Sequence, residues 1–193
     1  MACGPGALLQ PDRRARLLRC PRCGGERRLA GHPLFVVTGA SGTGKSAIVE
    51  PLRRRLSGCD VFETDVILQV AALGWDTWRD TWLRLAHAVA LNGRATVLCG
   101  SLLPEDLEDL LGRRLLGPIH FCNLDCGDEV LAARLRARPA WRAWSEERIV
   151  EHQRFAHLRA SVRPTFDTGV LDADEVADRI ARWIQRLLAA VDR

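Results

Sequence analysis

The fold is decided by Leu34-Phe-Val-Val-Thr38 and the residues that follow it, Gly39-Ala-Ser-Gly-Thr-Gly44-Lys45-Ser46. The first part is a short continuous apolar run, the pattern of a strand buried on both faces of a parallel sheet. The second satisfies G-x-x-x-x-G-K-[ST], the Walker A pattern, at every fixed position. A helix is expected directly after it, from about Lys45 to Leu56. The glycines let the backbone curl, so that the N–H groups of Gly39, Ala40, Ser41, Gly42, Thr43 and Gly44 can turn toward phosphate oxygens. The helix opening there adds the positive end of its dipole. Lys45 reaches the β- and γ-phosphates of a nucleotide as a point charge, and the Ser46 hydroxyl is a magnesium ligand. Of 28 basic residues, 27 are arginine; the only lysine stands where a compact ammonium is needed.

Outward from this loop the pattern alternates. Asp60-Val-Phe62 reads as a second short strand. Trp75, Trp78, Trp82, Leu85, Ala86 and Val89 recur at three- and four-residue steps and predict an amphipathic helix. Ala95–Cys99 and Ile119–Leu124 are further buried-strand candidates. Asp128–Arg136 predicts a helix with an acidic first turn and later arginines, Ser145 an N-cap, and Ala173–Ala190 a terminal helix. Strands alternating with helices predict an α/β fold, a parallel sheet covered on both faces.

The chain has 193 residues, 47% hydrophobic and 27% charged, enough for one well-buried domain. Its net charge of +4 is uneven: residues 1–33 hold seven arginines against Asp12 and Glu26, and the remainder is close to neutral. A near-neutral body argues against a specific nucleic-acid partner. No run of about 18 apolar residues exists, which argues against a membrane span. Arginines stand where a secretory signal needs apolar residues, and seven cysteines accompany a long apolar pattern, so a reducing cytoplasm is expected. Residues 1–33 show no helical or strand periodicity and read as a flexible basic extension, with the catalytic domain over 34–193. Cys20-Pro-Arg-Cys23 has the spacing of half a zinc site, but Cys3 and His32 complete no ligand pattern, so free thiols are expected.

Three further groups carry chemistry. Glu63-Thr-Asp65 follows the second strand, at the carboxyl edge that faces the phosphate loop in a parallel sheet. Asp65, favoured over Glu63, would accept a substrate hydroxyl's proton or hold magnesium together with Ser46. Arg134 and Arg138 share a helical face that Pro139 ends, with Arg142 beyond it. Both are expected to close over the transferring phosphoryl group, and Arg134 also to bind the nucleotide. The tryptophan stripe reads as core packing before ring stacking. The histidines are scattered, and Cys122 and Cys126 read as structural thiols.

In order and spacing these pieces resemble the P-loop small-molecule and nucleoside monophosphate kinases, the group that includes adenylate, shikimate and gluconate kinases and chloramphenicol phosphotransferase. The resemblance covers about residues 34–188. Besides the loop, Glu63-Thr-Asp65 is similar to the Asp-x-Asp motif of shikimate kinase. The Arg134-to-Arg142 run resembles the approach to the family's lid, and Pro164-Thr-Phe-Asp-Thr168 its last strand and the turn near the adenine. The resemblance implies a three-layer P-loop NTPase fold with a five-stranded sheet of order 2-3-1-4-5. It implies ATP as substrate, Mg2+ as cofactor and Thr168 at the nucleotide. One departure is plain: no Asp ends the 95–99 strand, where many P-loop NTPases place a magnesium-holding carboxylate.

Two classes of function remain. One is an ATP-dependent phosphotransferase, monomer or homodimer, acting on a nucleoside, nucleoside monophosphate, sugar acid or antibiotic. The other is an ATPase or regulatory module without a small-molecule acceptor. Length favours the first, because few residues remain after the sheet for coupling to a partner. Between residues 60 and 100 only Arg79, Arg84 and Arg94 could receive an acceptor phosphate.

Overall fold

In a computed structural model of the chain, residues 10–12, 17–28 and 32–191 are described. Regular structure begins earlier than the sequence pattern predicts. The strands β1 (Gln10–Asp12), β2 (Leu17–Arg19) and β3 (Glu26–Arg28) form a small antiparallel sheet in the order β1-β2-β3. This corrects the reading of residues 1–33 as lacking strands: three-residue strands are too short to display a two-residue period. A tight turn joins β2 to β3, with the Cys20 N–H donating to Gly25 O and the Gly24 N–H to Cys20 O, each at 2.9 Å. The exposed Arg19–Glu26 pair at 2.7 Å spans the same two strands. Cys20 is buried and Cys23 exposed. Among the described residues, no three His, Cys, Asp or Glu side chains gather as a metal site. Cys3 lies outside the described residues.

The main sheet contains β4 (Leu34–Gly39), β5 (Cys59–Glu63), β6 (Ala95–Cys99), β7 (Ile119–Asp125) and β8 (Thr165–Asp167). All neighbours pair parallel, in the order β5-β6-β4-β7-β8. Counted from β4, this is the expected 2-3-1-4-5. The six residues of β4 are all buried, and their alternation builds two cores. Phe35 and Val37 join Val61, Val97 and Leu124 beneath α1 (Lys45–Arg55) and α5 (Ala173–Val191), which contribute Ile48, Leu52, Val176, Ile180 and Ile184. Leu34 and Val36 face the other way, packing with Leu98 against Trp78, Trp82 and Leu83 of α2 (Trp75–Leu91). A third cluster seats Leu131 and Leu135 of α3 (Asp128–Arg136) and Ile149 of α4 (Glu146–Leu158) against Ala40 of the loop. The result is three layers, helices on both faces of one sheet.

Most predicted boundaries hold within a residue or two, and Ser145 caps α4 by accepting the Arg148 N–H at 3.4 Å. What differs is the face expected to join Arg134 to Arg138. α3 stops at Arg136, with Ala137 as its cap, so Arg138 does not continue the helical face of Arg134. Pro139 disfavours helical backbone at the residue before it, and the last turn dissolves ahead of the proline. Among the described residues no helix is long and apolar enough to cross a membrane.

Candidate functional site

The loop between β4 and α1 is shaped by its glycines. Gly44 caps α1 at a φ of +95°, a left-handed conformation that other residues adopt at a cost. Gly39 is needed for a different reason: a Cβ there would run into Thr43 Oγ1 and stand 3.0 Å from the Leu124 carbonyl oxygen. Lys45, the first residue of α1, folds back over the loop and donates to the carbonyls of Gly39 at 2.9 Å and Ala40 at 2.8 Å. Burial, and then the charge of Arg159, push its ammonium down to about 8, against the opposing pull of Asp65, Cys99 and Glu63. A lysine in that state gains from an incoming polyanion.

Behind the loop, Arg159 follows α4 and is only 6% exposed. It donates to Thr38 Oγ1 at 3.3 Å, Phe155 O at 2.6 Å and Ser101 O at 3.2 Å. Ser101 Oγ in turn donates to Gly39 O at 2.9 Å, so strand end, loop and α4 are tied together.

Two carboxylates follow β5. Glu63 accepts the hydroxyl hydrogen of Ser46, which makes it the acid in direct contact with the second residue of α1. Asp65 stands one turn on, exposed and lining the same cleft, where its charge acts on Lys45. The sequence ranks Asp65 first for magnesium; in the structure Glu63 touches Ser46. An oxygen-only pair of hydroxyl and carboxylate suits a hard divalent cation.

Beyond the loop the expected residues divide between two cavities. The larger, about 930 Å³, runs from Lys45, Ser46 and Glu63 past Asp65 to Arg138 and Trp78. The smaller, about 320 Å³, lies on the other side of Gly42 and Gly44 and is walled by Ile48, Arg134, Thr168 and Val176. Arg134 donates to Thr168 O at 2.6 Å, Thr168 Oγ1 at 3.0 Å and Gly42 O at 3.3 Å. Thr168, 7% exposed, donates to Thr43 O at 2.9 Å. Arg134 is therefore a strut between the loop and the turn after β8. Arg138 is elsewhere. The expectation that the two share one face is corrected: they serve different cavities.

The segment 137–145 between α3 and α4 hangs over the larger cleft, pinched at its base by Arg136 on Glu146 at 2.8 and 2.6 Å. Within it, the guanidinium of Arg138 lies 4.3 Å from the Trp144 ring centre, and Arg148 of α4 lies 4.2 Å from the same ring. Burial and the charges of Arg142 and Arg148 lower the Arg138 pKa. The His152 ring lies tilted against Trp144, with centres 4.4 Å apart. Burial first, then Arg148, Lys45 and Arg138, outweigh Glu151 and hold its imidazole below the usual value. Among the described residues, Arg138, Arg142 and Arg148 have no carboxylate partner within ion-pair distance, so three cations stand free over the cleft.

Sequence reasoning missed Arg148, Trp144, His152 and Arg159. Arg148 and His152 lie four residues apart on α4 and could have been paired with the lid run; nothing local marks Arg159. The tryptophan stripe splits. Trp82 and Trp78 are core, Trp82 donating from Nε1 to Thr64 O at 3.2 Å and Trp78 also bordering the cleft, whereas Trp75 is exposed on the cleft wall. Cys122 and Cys126 are buried, as structural thiols are.

No protein-family model matches the chain, and no curated protein does. Solved structures do match. A sugar kinase from Janibacter sp. HTCC2649 superimposes with a TM-score of 0.59 at 20% identity, covering 80% of this chain and 95% of its own. The tunicamycin resistance protein of Deinococcus radiodurans gives 0.59 at 23%, covering 79% and 95%. Shikimate kinase from Acinetobacter baumannii gives 0.55 at 15%, covering 82% and 96%. At such identities the likeness concerns the fold, which is that of the P-loop small-molecule kinases.

Proposed function

We propose that the protein is an ATP-dependent phosphotransferase that moves the γ-phosphoryl group of ATP to a hydroxyl of a small molecule. The observation that carries the reading is convergence: the phosphate loop, two carboxylates and three arginines without carboxylate partners line one cleft beside a second cavity of about 320 Å³. The shared fold with kinases of sugars and shikimate supports it.

In this reading the loop amides and Lys45 bind the β- and γ-phosphates, and Arg134 and Thr168 hold the adenosine side. Ser46 and Glu63, with Asp65 nearby, are the groups that would hold magnesium, which would supply positive charge to offset that of the phosphates. Asp65 takes the proton of the acceptor hydroxyl as its oxygen bonds to the γ-phosphorus. The bond from that phosphorus to the β,γ-bridging oxygen breaks, and ADP carries the electron pair away. Arg138, with Arg142 and Arg148, meets the charge spread over the transferring group. The segment 137–145 over the cleft would exclude water, which would otherwise compete with the acceptor.

The test is ADP release with ATP and magnesium, with and without pooled hydroxyl compounds. Acceptor-stimulated release is expected. Release that no acceptor stimulates would favour the ATPase or regulatory reading instead.

A further inference from the structure

Lys45 does not rest where a nucleotide needs it. Its ammonium is held by the carbonyls of Gly39 and Ala40, and it must leave both to reach a phosphate. A carbonyl left without a donor costs free energy, so each needs a second donor if the lysine is to move easily. Both have one. Ala40 O also accepts from Thr43 Oγ1 at 2.9 Å and from the Thr43 N–H at 3.3 Å. Gly39 O also accepts from Ser101 Oγ at 2.9 Å. Thr43 belongs to the loop itself. Ser101 comes from beyond the end of β6, 62 residues from Gly39 along the chain, and something must hold it there.

Arg159 does so. It donates to Ser101 O at 3.2 Å and to Thr38 Oγ1 at 3.3 Å, which ties the turn after β6 to the residue before Gly39. A planar guanidinium can direct separate N–H groups at two chain segments in fixed geometry, as an ammonium cannot. The setting is a costly one for a bond that only braces. Arg159 is 6% exposed, and among the described residues no carboxylate lies within ion-pair distance of it. Asp106, whose charge reaches it, is bonded to Arg79 at 2.8 Å. A buried cation without a counter-ion destabilises the empty protein. Arg159 also stands close enough for its charge to act on Lys45, and two like charges so placed favour an incoming polyanion. Arg159 does not line the cleft, so it acts through the loop rather than on a ligand.

Resting on the nucleotide-binding part of the reading above, we infer that Arg159 and Ser101 are positioning residues of the phosphate loop. Arg159 fixes Ser101, and the Ser101 hydroxyl keeps the Gly39 carbonyl satisfied when Lys45 swings to the phosphates.

The experiment is calorimetric titration with ATP at one fixed pH, with a melt of each variant in the absence of ligand. Ser101→Ala should raise the ATP dissociation constant about fivefold, because Gly39 O then loses its last side-chain donor as Lys45 departs. In a Lys45→Met background no ammonium leaves Gly39 O, and the same substitution should change the constant less than about 1.5-fold. Equal losses in the two backgrounds, or none in either, overturn the role of Ser101. Arg159→Met keeps much of the side-chain volume and removes both fork and charge. It should raise the dissociation constant about tenfold, while the Tm of the empty protein rises or falls by less than about 4 °C. A larger fall in Tm, or an unchanged dissociation constant, overturns the role of Arg159. If the unmodified protein does not bind ATP, the nucleotide reading itself fails. If it binds ATP and the variants bind it equally well, only this inference does.

Discussion

Lys45 shows how one side chain links sequence, electrostatics and chemistry. Its ordinary pKa of 10.5 is pushed down to about 8 by burial and by Arg159. Between those values the unfolded chain binds one proton more than the folded one, so this group's contribution to stability rises with pH from about 8 to 10.5. Nucleotide binding runs the opposite way, because the phosphates need the ammonium. ATP affinity should therefore fall as pH rises through about 8, while melting temperature relative to Lys45→Met rises over the same range. Lys45→Ala should bind ATP without this pH dependence and lose turnover by a factor on the order of a thousand. Titration calorimetry and melts at three pH values check both signs. Asp65→Asn should leave ATP affinity within about twofold and lower acceptor phosphorylation by about two to four orders of magnitude. Glu63→Gln should act differently, by raising the magnesium concentration needed for half-maximal rate, since Glu63 is the acid on Ser46. The sequence could show that both acids follow β5. It could not show which one meets Ser46, because that depends on the 3-10 turn through Thr64 and on the pairing of Glu63 with Cys99.

At the scale of elements, the two arginines assigned together by spacing act through different parts of the fold. Arg134 belongs to α3 and braces Thr168 and Gly42; Arg138 belongs to the segment above the cleft. Arg134→Ala should thus raise the ATP dissociation constant about tenfold and change kcat less than threefold. Arg138→Ala should do the reverse, lowering kcat by one to two orders of magnitude with a small change in ATP affinity. Steady-state kinetics against ATP, with an acceptor at saturation, separates the two. If both variants lose only kcat, the division between cavities has no functional meaning. The pattern of strands and helices was readable because β4, β6 and β7 are short apolar runs, and α2 and α5 keep their apolar residues at steps of three and four. The separation of Arg138 from the face of Arg134 was not, since the influence of Pro139 reaches back to the residue before it, and Ala137 becomes the cap. The lid's charge cluster was also hidden. It joins Arg138 to Arg148 through Trp144, a contact made by a turn rather than by a period.

For the whole molecule, the question is whether the small antiparallel sheet and the five-stranded sheet melt as one. The five-stranded sheet has its own complete core on both faces, and β4 begins only after the buried Pro33. The Leu34 N–H is met by Pro118 O at 3.1 Å, so the first strand is anchored without help from the preceding residues. The smaller sheet has three strands of three residues, and β1 meets the main body at the turn Leu111–Leu115. Sheets of such short strands are marginal without packing. Its exposed Arg19 already pairs with Glu26 across β2 and β3. Removing residues 1–31 should therefore cost less than about 1 kcal/mol, which for a domain of this length lowers Tm by less than about 4 °C. ATP affinity and acceptor turnover should stay within about twofold, because the phosphate loop, Glu63, Asp65 and the lid all lie in the retained part. Calorimetric melts of the full chain and the truncated one, run with and without ATP, give the answer. A drop of 10 °C or more, or a loss of the stabilisation by ATP, would show that the N-terminal strands belong to the same cooperative unit as the cleft.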